Sequence, residues 1–147
     1  MKKISVYKVI MMLLSVVLLA TSIAAAPAPQ QPNVTFTLVQ GLPATMQVGE
    51  SYTVIVKVES DVSFATGVAL PDAFFPGRYV VAAKGDHSGA GTTAILSVTF
   101  TAKASTAQLP PYQQTPGGVA PVAVVAGAHF QGGYAVTQRF DFLVAVP

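Results

Sequence analysis

The 147-residue sequence contains no cysteine and no tryptophan, and only 10% of its residues are charged. Without thiols there is no disulfide framework and no lipid-modified cysteine after an export segment. A blue-copper centre, which needs a thiolate ligand, is excluded as well. Zinc is poorly served: two histidines, His87 and His129, lie far apart in sequence, and no cysteine adds to them. No acidic cluster of EF-hand type is present for calcium, so no metal or other cofactor is expected. Outside the first 26 residues no stretch sustains a helical period, which removes all-α and α/β architectures.

What is present begins with export chemistry. Lys2, Lys3 and Lys8 give a basic start, Val9 to Ala20 are almost wholly apolar, and Ser22 to Ala26 supply small residues. That three-part order predicts a secretory signal over residues 1–25, cut after Ala24 or Ala25, because Pro27 disfavours a cut directly after Ala26. The expected location is secreted or extracellular, at the cell surface. An uncleaved N-terminal membrane anchor is the alternative, since the apolar run approaches the roughly 20 residues that span a bilayer. Residues 26–32, with three prolines, read as an extended proline-rich tether.

Removing the signal reverses the charge. The whole chain is formally +2, but Lys57, Arg78, Lys84, Lys103 and Arg139 face Glu50, Glu59, Asp61, Asp72, Asp86 and Asp141 in the remainder: five minus six, or −1. A nucleic-acid partner, which needs a clustered basic stripe, is not expected. Membrane association is expected only if the signal stays uncleaved. Residues 33–147 are long enough for one core, and one domain is the economical count.

Within that domain the stretch Gly49 to Asp61 is the most regular. Tyr52, Val54, Val56 and Val58 recur every second residue and alternate with Thr53, Lys57 and Glu59, with Ile55 the one intruder; this is a strand with one buried face. Turn residues at Gly49 and Ser60-Asp61 bound it. Thr92 to Lys103 repeats the pattern, with Ala94, Leu96, Val98, Phe100 and Ala102 on one side and Ile95 as intruder. Strands are also predicted over Asn33–Gln40, Val62–Leu70 (interrupted at Gly67 and ended by Pro71-Asp72), Tyr79–Ala83, Val122–Phe130 and Tyr134–Val146. The last two join through Gln131-Gly132-Gly133 in a tight turn. Phe74 to Gly77 reads as a type II turn. Lys84 to Gly91, with three glycines and no apolar period, reads as a loop. Leu109 to Pro121 carries four prolines and two adjacent glycines, which argues against a central strand and for a long surface connection. Seven strands and no helix predict an all-β, antiparallel, seven-stranded immunoglobulin-like β-sandwich behind the signal.

The run from Met46 to Val58, followed by Ser60-Asp61, resembles the second-strand region of bacterial immunoglobulin-like and fibronectin-like modules of exported surface proteins. The resemblance implies a β-sandwich that serves as a spacer, an adhesive domain or an accessory binding domain. It carries over no functional residue, and the cysteine pair and tryptophan of antibody domains are missing.

Candidate chemistry is sparse. Asp86-His87-Ser88 has the residue types of a catalytic triad, but three consecutive side chains radiate apart, whereas a triad needs a base within about 3 Å of its nucleophile. Asn33-Val34-Thr35 matches a glycosylation acceptor, which a bacterial-looking signal renders coincidental. Phe74, Phe75, Tyr79, Tyr112 and Tyr134 lie in or beside expected loops, where aromatic rings can form sugar platforms. A ligand-binding loop surface would draw on Phe74, Phe75, Arg78, Asp86, His87 and Tyr112. The expectation is a non-catalytic structural or adhesive module, or alternatively a small accessory domain that binds an extracellular protein or glycan through loop aromatics.

Overall fold

The computed structural model describes residues 31–72, 81–109 and 117–147. The expected signal, most of the tether, the Phe74–Gly77 turn and the first two residues of the Tyr79–Ala83 strand lie outside the described residues. Pro32–Pro147 form one compact unit. Among the described residues no helix is long and apolar enough to cross a membrane.

The fold is all-β. Seven strands, β1 (Val34–Gln40), β2 (Ser51–Phe64), β3 (Thr66–Asp72), β4 (Val81–Ser88), β5 (Gly91–Ala102), β6 (Val119–His129) and β7 (Ala135–Ala145), pair antiparallel in the order β1-β2-β5-β4-β3-β6-β7. The sheet is nearly closed. Past β1 the chain crosses to the far edge, where Thr45 bridges Ala145 in parallel. There the Met46 N–H donates to the Ala145 carbonyl at 2.9 Å, and the Ala145 N–H donates to the Ala44 carbonyl at 2.8 Å.

The strongest periodicities hold in three dimensions. Val54, Val56 and Val58 on β2 pair with Val98, Leu96 and Ala94 on β5. All six are buried, and Phe100 and Ala102 continue the same face. From the opposite side Val122, Val124, Ala126 and Ala128 of β6 and Val144 and Val146 of the last strand region complete the core, with Phe140 and Phe142 partly buried against it. Ile95 is 58% exposed, so the intruder in the alternation points outward as its position dictates. The predicted β6–β7 turn forms: Phe130 N–H donates to the Tyr134 carbonyl at 2.8 Å, and Gly132 and Gly133 take φ of 90° and 84°, which glycine adopts without steric cost.

Three expectations need correction. Ser60-Asp61 does not end its strand: β2 continues to Phe64, with five steps from Glu59 to Phe64 matched by two from Thr93 to Gly91 on β5. The Ser60 hydroxyl accepts from the Val62 N–H at 3.2 Å, so the turn residues make a bulge, and Phe64 re-enters the core edge-on to Phe130 at 6.4 Å. The third strand accordingly starts at Thr66, runs unbroken through Gly67 and includes Pro71.

Lys84 to Gly91 is not a loop. Lys84 to Ser88 belong to β4, whose first part, Val81–Gly85, pairs with β5, while Asp86, His87 and Ser88 pair with Ala69, Val68 and Gly67 of β3. β4 thus carries the sheet round a corner, and hydrogen bonds from two different neighbours replace the apolar periodicity its sequence lacks.

Pro121 lies within β6, between β3 and β7 in the strand order. It pairs with Leu143 of β7. A short 3-10 turn, Thr106–Gln108, capped by the Ser105 hydroxyl, stands immediately before the expected connection, of which residues 110–116 lie outside the described residues.

Candidate functional site

Of the six residues expected to line a ligand-binding loop surface, Asp86 and His87 are described, and both stand on β4. Phe74, Phe75, Arg78 and Tyr112 lie outside the described residues. The Asp86 carboxylate is held between its own strand and β5: Oδ1 accepts from the His87 backbone N–H at 2.7 Å, and Oδ2 accepts from the Ser97 hydroxyl of β5 at 3.4 Å. The Ser88 hydroxyl donates to the Gly89 carbonyl. Among the described residues no hydrogen bond links the His87 imidazole to Asp86 or Ser88, so the three do not form a relay.

The two histidines share a flank of the sheet without converging. His87 pairs with Val68 and His129 with Thr66, so they stand on the strands to either side of β3, two residues apart along it. Both are exposed. Among the described residues no group of three or more histidine, aspartate or glutamate side chains could hold a metal ion.

A charged cluster that periodicity only half revealed lies on the outer face of β3, β6 and β7. Arg139 donates from Nε to Asp141 Oδ1 at 2.7 Å, an alternate-residue pair visible in the sequence. Its guanidinium also binds Asp72, 67 residues away in sequence. The register explains this second contact: Asp72 pairs with Ala123, and Ala123 pairs with Asp141, so a small alanine separates the two carboxylates and the long arginine reaches over it. The hydrogen bond with Asp141, and less strongly that with Asp72, raises the arginine's pKa above its ordinary value. The group is exposed and simply remains a cation.

The outer face of β2 and β5 carries hydroxyls in register. Ser51 Oγ and Thr101 Oγ1 are 2.7 Å apart, and Thr53 Oγ1 and Thr99 Oγ1 are 3.0 Å apart. Lys57 and Glu59 form an ion pair at 2.7 Å farther along. At the β6–β7 turn Tyr134, 39% exposed, leans on Phe130 with ring centroids 6.0 Å apart. These surfaces can donate and accept hydrogen bonds and offer a ring face.

No known family model matches the chain, and no curated protein sequence matches it.

Proposed function

We propose that this chain is an exported, non-catalytic β-sandwich module of immunoglobulin type with a structural or adhesive role at the cell surface. The strand order carries the reading. Divided at the corner made by β4, the sheet reads β1-β2-β5-β4 and β3-β6-β7. That is the connectivity of a constant-type immunoglobulin sandwich, in which the first, second, fifth and fourth strands form one sheet and the third, sixth and seventh the other. The core supports it, since β2 and β5 contribute one apolar wall and β6 with β7 the other. Export follows from the signal-like residues 1–25, and on this reading the domain presents surface at its loop ends and turns over no substrate.

A second reading, an accessory domain that binds an extracellular glycan or protein through loop aromatics, is favoured by Tyr134, whose ring is partly exposed at the tip of a hairpin. One experiment separates the readings from each other and from catalysis. Protein recovered from the medium of an expressing host is assayed for adhesion to cells and polysaccharide and for hydrolysis. The parent is compared with His87→Ala/His129→Ala and with Phe74→Ser/Phe75→Ser/Tyr134→Ser. Adhesion that survives the histidine changes and fails with the aromatic ones selects the loop-aromatic reading. Hydrolysis lost with either histidine rejects both.

A further inference from the structure

We infer that β1 is an interface strand whose partner is the β1 of a second copy of this chain, paired antiparallel about Phe36. β1 stands at one end of the strand order, and among the described residues it pairs with β2 alone. The bonds that join this part of the chain to β7 lie past the end of β1, at Ala44 and Met46. Edge strands are ordinarily blunted with charge or proline, because a bare row of N–H and C=O groups recruits other strands. β7, at the other end of the order, carries Arg139 and Asp141. β1, Val-Thr-Phe-Thr-Leu-Val-Gln, carries no charge, no proline and no glycine. Such a segment pairs readily with another strand.

The order of residues within β1 selects the occupant. Val34-Thr35-Phe36-Thr37-Leu38 reads nearly the same in both directions. Set antiparallel to itself with Phe36 opposite Phe36, it places Val34 opposite the partner's Leu38 and Thr35 opposite the partner's Thr37. Opposite residues of such a pair share a face, so apolar meets apolar on the inner face and hydroxyl meets hydroxyl on the outer. A slip of one residue would set Val34 against the partner's Thr37 and mix the faces. The limits of the segment match as well. Pro32, which has no N–H, stands before Asn33, and the register with β2 shifts between Leu38 and Gln40. Asn33 falls opposite the partner's Val39, the residue that the shift skips, so the pairing stops at both ends together. Self-complementarity of this kind is what a twofold contact requires.

Burial along the inner face shows what a partner would cover. Val54, Val56 and Val58 of β2 are sealed in the core, but next to them Val34 and Phe36 are only partly buried and Leu38 is 39% exposed. A second β1 extends the apolar wall at this point. The edge is also held ready. At its start the Asn33 N–H donates to Asp61 Oδ1 at 2.9 Å and the Asp61 N–H returns to the Asn33 carbonyl at 3.3 Å. At its end Gln40 Nε2 donates to the Thr53 carbonyl at 2.9 Å. Pairing therefore need not order a loose segment first. On the outer face Thr35 stands beside Glu59 and Thr37 beside Lys57. Each row across the dimer then runs Glu59, Thr35, the partner's Thr37 and the partner's Lys57, with opposite charges at its ends. The contact stands apart from the adhesive role proposed above, and its readouts, a mass and a disulfide register, are independent of adhesion.

So short a paired segment buries less than the standard interface of about 1,200–2,000 Å², so the dimer belongs to the weak class and the test must span concentration. Sedimentation equilibrium of the purified chain, from micromolar to near-millimolar, should show a mass that rises from one copy to two and no further. Thr35→Lys with Thr37→Lys sets lysine opposite lysine twice and should weaken the dimer about tenfold or more. Thr35→Lys with Thr37→Glu sets lysine opposite glutamate and should leave the dimer as tight as the parent's or tighter. Both positions are exposed, so the fold tolerates either change. Disulfides read the register, since the chain has no cysteine of its own. Under mild oxidation an equimolar mixture of Thr35→Cys and Thr37→Cys proteins should form the mixed covalent dimer. Either protein alone, with its thiols on the diagonal about 7–8 Å apart, should not. A chain that stays monomeric throughout, assembles without limit, responds alike to the two charge variants, or crosslinks as well with itself as in the mixture would overturn the inference.

Discussion

A Cβ atom placed on Gly85 would stand 2.2 Å from the carbonyl oxygen of Ala69. β4 therefore touches β3 backbone to backbone at the point where it leaves β5, and the corner of the sheet depends on a residue without a side chain. Gly85→Ala should force the two strands apart and cost about 1–3 kcal/mol, the usual range for overpacking. Urea denaturation measures it, and a loss below a few tenths of a kcal/mol would mean that the corner yields freely.

The inward face of β2 and β5 is tested by a pair of neighbours. Leu96 is fully buried and Ile95 is mostly exposed. Leu96→Ala should destabilise by about 2–5 kcal/mol. Ile95→Thr should stay within about 0.5 kcal/mol of the parent. Similar losses at both positions would contradict the face assignment.

Val56→Asp buries a carboxylate against Leu96 and its neighbours with no partner. The cost, several kcal/mol, is comparable with the whole stability of a typical domain of about 5–15 kcal/mol, so the variant should unfold. A sharp thermal transition within a few degrees of the parent's would count against a core at this position.

Gly132 at the β6–β7 turn has φ of 90° and nothing within 4 Å of the place a Cβ would take. Gly132→Ala therefore costs through backbone strain alone, about 1–2 kcal/mol. Gly132→Asn, a residue that tolerates such turns, should recover part of it. Calorimetry of the two variants checks the order.

Export predicts a covalent change. Protein recovered outside the cell should begin at Ala25 or Ala26, which intact-mass measurement reads directly. A full-length chain that stays with membranes through a high-salt wash would establish the anchor instead.

What the sequence determined by itself is the part of the fold that one strand can specify alone. Val54, Val56 and Val58, and Ala94, Leu96, Val98 and Phe100, state their buried face through a period of two, because alternate side chains of any strand point to opposite sides. The Gln131-Gly132-Gly133 turn is equally local, since its backbone needs positive φ and glycine supplies it. Of the candidate site, the sequence identified residue types but not their setting. Tertiary structure decided the rest, wherever a residue's state depends on a distant strand. Asp86 and His87 read as loop because nothing in Lys84–Gly91 is periodic, yet pairing with Ala69 and Val68 makes them strand. Pro121 reads as part of a surface connection, yet pairing with Leu143 of β7 places it within β6. Asp72 joins Arg139 only through the register of β3 on β6 and β6 on β7. Hydrogen bonds and ion pairs between segments tens of residues apart leave no period in the chain, so only the folded sheet could bring them together.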